Sequence, residues 1–244
     1  MPYYANTAPT KLSIIIPAYN EEKTIQQLLS LLFSVDFGEI ETEVIVIDDS
    51  SRDKTVQLIN ELHFPLTLIE NKKNLGKSGA VRKGLAVATG EYVVIQDADL
   101  EYNPHDLKKM ITHAFEKKLV AVYGSRRMQE LADQALGRKT IFYYRGLSLT
   151  LFTNVLFRST LTDEPTCYKL IRRSILQDLN LKEERFGFCP EVTAKLLRQG
   201  YTIAELPISY QPRSIAEGKK ISFVDALEAF YILIKYKVLP RKFW

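Results

Sequence analysis

The chain has little cysteine and little histidine for its 244 residues. Its two cysteines, Cys167 and Cys189, do not form a C-x-x-C pair. This excludes a disulfide framework and a zinc site of common spacing, and it favours a reducing compartment. The three histidines, at positions 63, 105 and 113, do not stand at ligand spacing from a cysteine or a carboxylate. We expect them on the surface or in loops.

Long apolar runs are also absent. No window of about 18 apolar residues occurs, so no membrane-spanning helix is predicted. The longest ambiguous stretch, GLSLTLFTNVLF at 146–157, contains four polar side chains and is too short to span a bilayer. The first ten residues lack the basic region and apolar core of a secretory signal. We therefore expect a cytoplasmic protein.

The charge balance is modest, with a net formal charge of +4. Residues 219–244 carry six lysines or arginines against two acidic residues. A basic, aromatic segment of this kind favours a polyanionic partner such as an anionic membrane surface. A solvated helix end is the alternative. Nucleic acid is not expected, because no recognised binding motif accompanies the charge.

The first half alternates apolar runs with segments of helical period. Buried strands are predicted at 12–17, 43–49, 66–71 and 91–97, with helices between them. This pattern predicts an α/β fold with a mostly parallel central sheet flanked by helices in a single domain. We assign residues 1–10 to an N-terminal tail, 11–218 to the domain, and 219–244 to a basic amphipathic terminal helix and tail.

Polar clusters follow each of these strands: AYNEE, DDSSRD, NKKNLGK and DADLEYN. Ligands of open α/β sheets bind beyond the carboxyl ends of the strands, so these clusters predict an active site. Neither G-x-G-x-x-G nor G-x-x-x-x-G-K-[ST] occurs, so a Rossmann site or a P-loop is poorly supported. Asp97 and Asp99 suit a hard divalent cation, Mg²⁺ or Mn²⁺. A pair of solvated loop carboxylates is the alternative.

Several motifs together resemble the family 2 glycosyltransferases, which use nucleotide sugars and have the GT-A fold. They are SIIIPAYNEEKTI (13–25), VIVIDDSSRDKT (44–55), NLGKSGAVRKGLAVATGEYVVIQDADL (74–100) and YGSR (123–126). The second half resembles the dolichyl- and undecaprenyl-phosphate mannose and glucose synthases. That resemblance is carried by LTDEPTCYKLIRRSIL (161–176), RFGFCPEVTAKLLRQGY (185–201) and PRSIAEGKKI (212–221).

The resemblance implies a role for each matching residue. The donor nucleotide sugar would contact Pro17, Tyr19, Glu21, Asp49, Lys77, Asp97, Ala98, Asp99, Arg126, Arg213 and Lys219. Within this set Asp49 would bind the base, and Arg213 and Lys219 would grip the phosphates of donor and acceptor. The metal would be held by Asp99, with Asp97 beside it. Glu101, where many relatives have glutamine, would be a third ligand.

The expected reaction is an inverting sugar transfer from a UDP- or GDP-sugar to a polyprenyl phosphate. A lipid phosphate is already an anion, so it needs little general-base help. A hydroxyl acceptor would need a base, for which Asp163 and Glu191 are candidates. We predict that Asp97, Asp99, Asp163 and Arg213 carry catalysis.

Other functions remain open at this point. The same fold could act on a saccharide acceptor in cell-wall or exopolysaccharide synthesis, or serve as a non-catalytic nucleotide-sugar-binding or membrane-associated scaffold. A nucleotidyltransferase is disfavoured, because the loop after the first strand is acidic.

Residues 146–157 and the tail containing Phe243 and Trp244 are predicted to dip into the cytoplasmic face of a membrane. A separate membrane subunit, core packing or a homodimer contact are the alternatives.

Overall fold

A computed structural model describes residues 11–132, 141–213 and 223–244. The strands are β1 (Lys11–Ala18), β2 (Glu41–Asp48), β3 (Leu66–Glu70), β4 (Tyr92–Ile95), β5 (Ala121–Ser125), β6 (Lys169–Arg172) and β7 (Ile203–Pro207). The helices are α1 (Ile25–Phe33), α2 (Thr55–Glu61), α3 (Gly76–Val87), α4 (His105–Glu116), α5 (Arg126–Ala132), α6 (Ile141–Phe157), α7 (Arg173–Asp178), α8 (Phe188–Arg198) and α9 (Phe223–Val238). A short 3-10 helix covers Arg241–Phe243.

The strands form one sheet in the order β3-β2-β1-β4-β6-β5-β7. β1 pairs in parallel with β2 and β4, and β2 with β3. The predicted mostly parallel sheet is therefore confirmed. The exception is β6, which runs antiparallel to both β4 and β5. β4 is shorter than predicted, because the chain leaves the sheet after Ile95 and turns through Leu100, which has a positive φ of 61°.

The sheet is buried on both faces. Ile14 and Ile16 of β1 belong to one apolar cluster, whereas Ile15 belongs to the cluster on the opposite face. Alternate side chains of a strand point to opposite faces, so a continuous apolar run is what two covered faces require.

A third apolar cluster joins α6, α8 and α9 beside the sheet. It includes Leu149, Ala194, Ile232 and Trp244. Trp244 is buried, and its indole N–H donates to the carbonyl of Leu239 at 3.2 Å. The prediction that Trp244 anchors a membrane is therefore wrong, because packing of the chain end against α8 and α9 encloses the ring. The predicted boundary between residues 218 and 219 lies outside the described residues.

Glu43 joins three strands at the end of the sheet opposite the polar clusters. It accepts hydrogen bonds from Ser13 and from both the backbone and the hydroxyl of Thr89, at 2.6 and 2.8 Å for the two Thr89 bonds. The backbone N–H of Gly90 donates at 3.1 Å, and Lys11 pairs with the carboxylate at 3.2 Å. One carboxylate thus connects β1, β2 and the turn that enters β4.

Replacing Glu43 with Gln should lower the free energy of unfolding at neutral pH by about 2 kcal/mol, because an amide satisfies fewer of these donors. Burial raises the pKa of Glu43, but the bonds from Ser13 and Thr89 outweigh it and lower the pKa from 4.5 to about 2. A carboxyl with a depressed folded-state pKa stabilises the fold above its unfolded pKa. That contribution should be lost as the pH falls from 4.5 to about 2. Urea unfolding over this range measures it.

Glu41→Gln is the matched control. Glu41 lies on the same strand and also pairs with Lys11, but its side chain is 66% exposed. Its replacement should change stability little. Equal losses in the two variants, or the same acid dependence in Glu43→Gln and wild type, would contradict this role.

Candidate active site

The carboxyl ends of β1, β2 and β4 meet at one edge of the sheet, where a cleft of about 1130 Å³ opens. Twelve predicted site residues line this cleft: Pro17, Tyr19, Glu21, Asp49, Lys77, Asp97, Ala98, Asp99, Glu101, Arg126, Asp163 and Arg213. Glu191, a candidate base, is not among the residues that line it. Lys219 lies outside the described residues. The sequence therefore identified residues that the fold brings together, although their roles stay predictions.

Asp49 is a buried carboxylate directly after β2. One of its oxygens accepts hydrogen bonds from the side-chain amide of Asn71 and the backbone N–H of Leu75, both at 2.8 Å. These bonds fix the carboxylate on the cleft wall and connect it to the turn that enters α3. A carboxylate held in this way can accept an N–H from a ligand.

Lys77 neutralises the first aspartate of the pair. Its ammonium group, in the first turn of α3, forms an ion pair with Asp97 and also donates to the sulfur of Cys167 at 3.0 Å. The preceding residue, Gly76, has a φ of +71°, and a Cβ there would come within 2.9 Å of the Arg185 backbone. Glycine is therefore required for the close turn that delivers Lys77 to the cleft.

Arg213 neutralises the second aspartate. Its guanidinium group pairs with Asp99 at 2.7 Å and lies 3.5 Å from Glu21 and 3.8 Å from Glu101. Asp99 lies deep in the cleft wall, so burial raises its pKa to about 6, reinforced by the negative charges of Asp97 and Glu101. Arg213 acts in the opposite direction. The cleft thus concentrates carboxylates and places a cation of the chain among them.

Glu101 fastens the segment that carries Arg213. Its carboxylate accepts the Tyr210 hydroxyl at 2.8 Å and the backbone N–H of Arg213 at 2.9 Å. Its carbonyl accepts the N–H of Gln211 at 2.9 Å, and Tyr102 pairs with Tyr210 in an isolated bridge. Glu101 therefore fixes the chain after β7 to the loop after β4. Its role as a metal ligand stays a prediction.

Asp163 is bonded to Arg126 on both oxygens. The guanidinium group donates to one oxygen from Nε and to the other from Nη2, each at 2.7 Å, and the Arg126 backbone N–H adds a bond at 3.0 Å. Burial alone would raise the pKa of Asp163, but Arg126 outweighs it and the pKa lies below its usual value. With 1% of its side chain exposed, Asp163 is placed to orient Arg126 rather than to deprotonate an acceptor.

Glu191, the other candidate base, has a structural role. Its carboxylate pairs with Lys195 at 2.6 Å and accepts the backbone N–H groups of Lys182 and Glu183 at 2.8 and 2.9 Å. These bonds fix α8 to the segment before it.

The second wall of the cleft is formed by α6 and α9. Leu149 of α6 and Ala229 and Phe230 of α9 line it, with Arg145 beside them. This apolar wall was not predicted as part of the site, because the sequence did not show that these two helices flank the strand ends.

The fold is that of an α/β protein with a charged cleft at the carboxyl edge of its sheet. The chain belongs to glycosyl transferase family 2, whose model matches residues 13–179.

Three relatives extend the match to most of the chain. A dolichol-phosphate mannosyltransferase of Pyrococcus furiosus is 27% identical over 93% of this chain and 64% of its own length. A UDP-N-acetylglucosamine–dolichyl-phosphate N-acetylglucosaminyltransferase of Methanococcus voltae is 27% identical over 92% of this chain and 95% of its own. An undecaprenyl-phosphate 4-deoxy-4-formamido-L-arabinose transferase of Proteus mirabilis is 28% identical over 92% of this chain and 67% of its own length. The chain therefore spans less than two thirds of the Pyrococcus protein.

Solved structures confirm the predicted GT-A fold. Glucosyl-3-phosphoglycerate synthase from Mycobacterium tuberculosis, in complex with phosphoglyceric acid, superposes with a TM-score of 0.71. It is 19% identical, and the match covers 97% of this chain and 83% of that one. The same enzyme has been solved with Mn²⁺ and UDP, and that structure superposes with a TM-score of 0.70 at 18% identity, with the same coverage.

Replacing Asp163 with Asn should lower the free energy of unfolding by roughly 3 kcal/mol, because Arg126 would be left buried without its countercharge. Chemical denaturation at neutral pH measures the loss. Asp178→Asn, at an exposed carboxylate on α7, is the control and should be neutral. Wild-type stability in Asp163→Asn would show that the pair does not position Arg126.

Proposed function

We propose that this chain transfers a sugar, with inversion, from a nucleoside-diphosphate sugar to a polyprenyl phosphate. The observation that carries the proposal is the composition of the cleft: charged strand ends form one wall and apolar surfaces of α6 and α9 form the other. A phosphorylated lipid needs both kinds of wall, and a soluble saccharide needs no apolar one. The names of the three relatives, all transferases to lipid phosphates, support the same acceptor class.

In this proposal the donor lies along the strand ends. Pro17, Tyr19, Glu21 and Asp49 face the nucleoside, and Asp97 and Ala98 face the ribose and the sugar. The cations for the phosphates are Lys77, Arg126 and Arg213, together with Lys219. A guanidinium fork and an ammonium point charge suit phosphates, because both donate several charged hydrogen bonds.

The carboxylate oxygens in the cleft fit a divalent cation in part. Carboxylate oxygens are the ligands that Mg²⁺ and Mn²⁺ prefer, and such ions are commonly held by one or two carboxylates plus substrate phosphates. In the part of the chain that the structure describes, no group of three His, Cys, Asp or Glu side chains is arranged to hold a metal. We therefore propose that Asp99 holds the ion together with the diphosphate, with Asp97 and Glu101 beside it. The ion would stabilise charge on the departing diphosphate.

The reaction needs little acid–base chemistry from the protein. An oxygen of the lipid phosphate attacks the anomeric carbon, and the bond from that carbon to the diphosphate oxygen breaks. The negative charge moves from acceptor to leaving group, so positioning and charge stabilisation supply most of the rate. Arg126, held by Asp163, and Arg213, held by Glu101, are the fixed cations available for this task.

Transfer should be measured with a panel of UDP- and GDP-sugars and a short polyprenyl phosphate, with and without Mn²⁺. We expect turnover that needs both the lipid phosphate and the metal. Asp99→Ala should reduce it by about a hundredfold or more, since one electrostatic contact to a transition state contributes on this scale. Asp178→Asn is the control.

Two results would contradict this assignment. Full metal-dependent activity in Asp99→Ala would remove Asp99 from the metal site. Stimulation by a saccharide and not by any polyprenyl phosphate would replace the lipid acceptor with a soluble one.

We also propose that the outer faces of α6 and α9 rest on an anionic membrane as a peripheral contact. Within the described ranges no helix is long and apolar enough to cross a bilayer. The outward stripe of α9 is apolar at intervals of three and four residues, and its members are each at least 46% exposed: Val224, Leu227, Tyr231, Ile234 and Val238. On α6, Tyr144, Leu151 and Val155 are 54 to 83% exposed.

Charge and continuity favour a lipid surface over a protein partner. Exposed basic side chains border the stripes at Arg158, Lys237, Arg241 and Lys242, and Phe243 is exposed beside them. The inner faces of the same two helices line the cleft. A lipid phosphate could therefore pass from the membrane surface to the donor without leaving apolar contact.

Leu227→Glu combined with Tyr231→Glu should abolish binding to vesicles of phosphatidylcholine and phosphatidylglycerol, because charge would enter the apolar stripe. Sedimentation with vesicles at two salt concentrations measures it, and wild-type binding should weaken at high salt. Val87→Glu is the control, because Val87 is an exposed apolar residue on α3. Unchanged vesicle binding, or a wild-type dimer that the double variant dissociates, would contradict the membrane contact.

A further inference from the structure

The two cysteines of the chain meet inside the cleft. Cys167 precedes β6 and Cys189 lies in the first turn of α8, yet the thiol of Cys189 donates to the carbonyl of Thr166, the residue before Cys167, at 3.5 Å. The two thiols are close enough to shift each other's pKa. Both are free thiols, both line the cleft, and both are partly exposed. The glycosyl-transfer chemistry proposed above uses neither of them.

Their surroundings make the two thiols unequal. The Cys167 thiol lowers the pKa of Cys189, and the positive charges of Lys169 and Lys77 act in the same direction against burial. The Cys189 thiol, together with burial, raises the pKa of Cys167. A thiol with a lowered pKa, in a cationic and partly accessible site beside a second thiol, is typical of redox-sensitive cysteine pairs.

We propose that Cys167 and Cys189 form a reversible disulfide by exchange with a low-molecular-weight disulfide, and that this bond switches off donor binding. The thiolate of Cys189 attacks one sulfur of the small disulfide and expels a small thiolate, which takes up a proton. Cys167 then loses its proton and attacks the sulfur of Cys189, which expels the second small thiol. Two protein thiols are oxidised and one small disulfide is reduced to two thiols.

The disulfide would weaken donor binding by changing the contacts of Lys77. The ammonium group of Lys77 now donates to the sulfur of Cys167 at 3.0 Å and pairs with Asp97. A sulfur–sulfur bond is about 2.05 Å long, so its formation draws the sulfur of Cys167 toward Cys189 and removes the free thiol that Lys77 now contacts. The backbone N–H of Cys167 is bonded to the Tyr102 hydroxyl at 3.1 Å, so movement of Cys167 would also disturb the wall beside Arg126. This consequence for the donor rests on the proposed function.

The test treats the full chain with glutathione disulfide and then counts free thiols by alkylation and intact mass. We expect the wild type to lose both free thiols and the mass of two hydrogens, and dithiothreitol to restore them. Cys167→Ser should stop at a mixed disulfide with glutathione on Cys189. Cys189→Ser should react slowly, because the more nucleophilic thiol is gone.

Donor binding is measured on the same samples by titration with UDP- and GDP-sugars. Oxidised wild type should bind about tenfold more weakly or worse, the scale of one hydrogen bond to a charged group. Cys189→Ser, which lacks the more nucleophilic thiol, should keep the affinity of its untreated form after oxidation. Thiol counting tests formation of the disulfide without any donor. A protein that forms the disulfide but binds no nucleotide sugar in its reduced state would contradict the proposed function and not the disulfide.

Three outcomes would overturn the inference. Both thiols could remain open to alkylation after oxidation, or the wild type could stop at a glutathione adduct. The disulfide could also form without any change in donor affinity.

Discussion

The pairing of Asp97 and Asp99 with two cations from distant parts of the chain is the constraint on which the site depends. Carboxylates one residue apart at the end of a buried strand repel each other, and burial further raises the free energy of their charged forms. Lys77 arrives on α3 and Arg213 arrives after β7. The site can therefore exist only when both the parallel half and the mixed half of the sheet are formed.

Several neighbouring residues hold in place the segments that carry the cations paired with Asp97 and Asp99. Glu101 fixes the segment that carries Arg213, and Gly76 permits the turn that carries Lys77. Asp163 holds Arg126 in an equivalent way at the end of β5. Arg126 is thereby oriented by bonds within the chain, so its charge would need little rearrangement if a phosphate entered the cleft.

Much of this could be predicted from the sequence, because it depends on local patterns. Near-continuous apolar runs identified β1 to β4, and the polar residues after each strand identified the cleft edge. The antiparallel direction of β6 could not be predicted, since β6 follows β5 only after the helices α5 and α6 and no local pattern gives the direction in which the chain returns to the sheet. The sequence also did not predict roles that depend on a partner residue far away in the chain.

Particular residues show this limit. Asp163 was a candidate base for a hydroxyl acceptor, but the sequence did not show that Arg126 bonds to both of its oxygens. Cys167 and Cys189 looked unrelated by spacing, but the fold places both on the cleft wall, with the thiol of Cys189 bonded to the carbonyl of the residue before Cys167. Trp244 was expected at a membrane, but it closes the cluster between α8 and α9.

We propose that Asp99 exchanges its bond to Arg213 for a metal ion bound to the diphosphate when the donor binds. A crystal structure of the chain with Mn²⁺ and UDP or GDP tests this exchange. We expect a cation between Asp99 and the diphosphate, with the guanidinium of Arg213 moved from Asp99 to a phosphate oxygen. A nucleotide bound away from the strand ends, or a diphosphate bound while Asp99 and Arg213 stay paired, would contradict it.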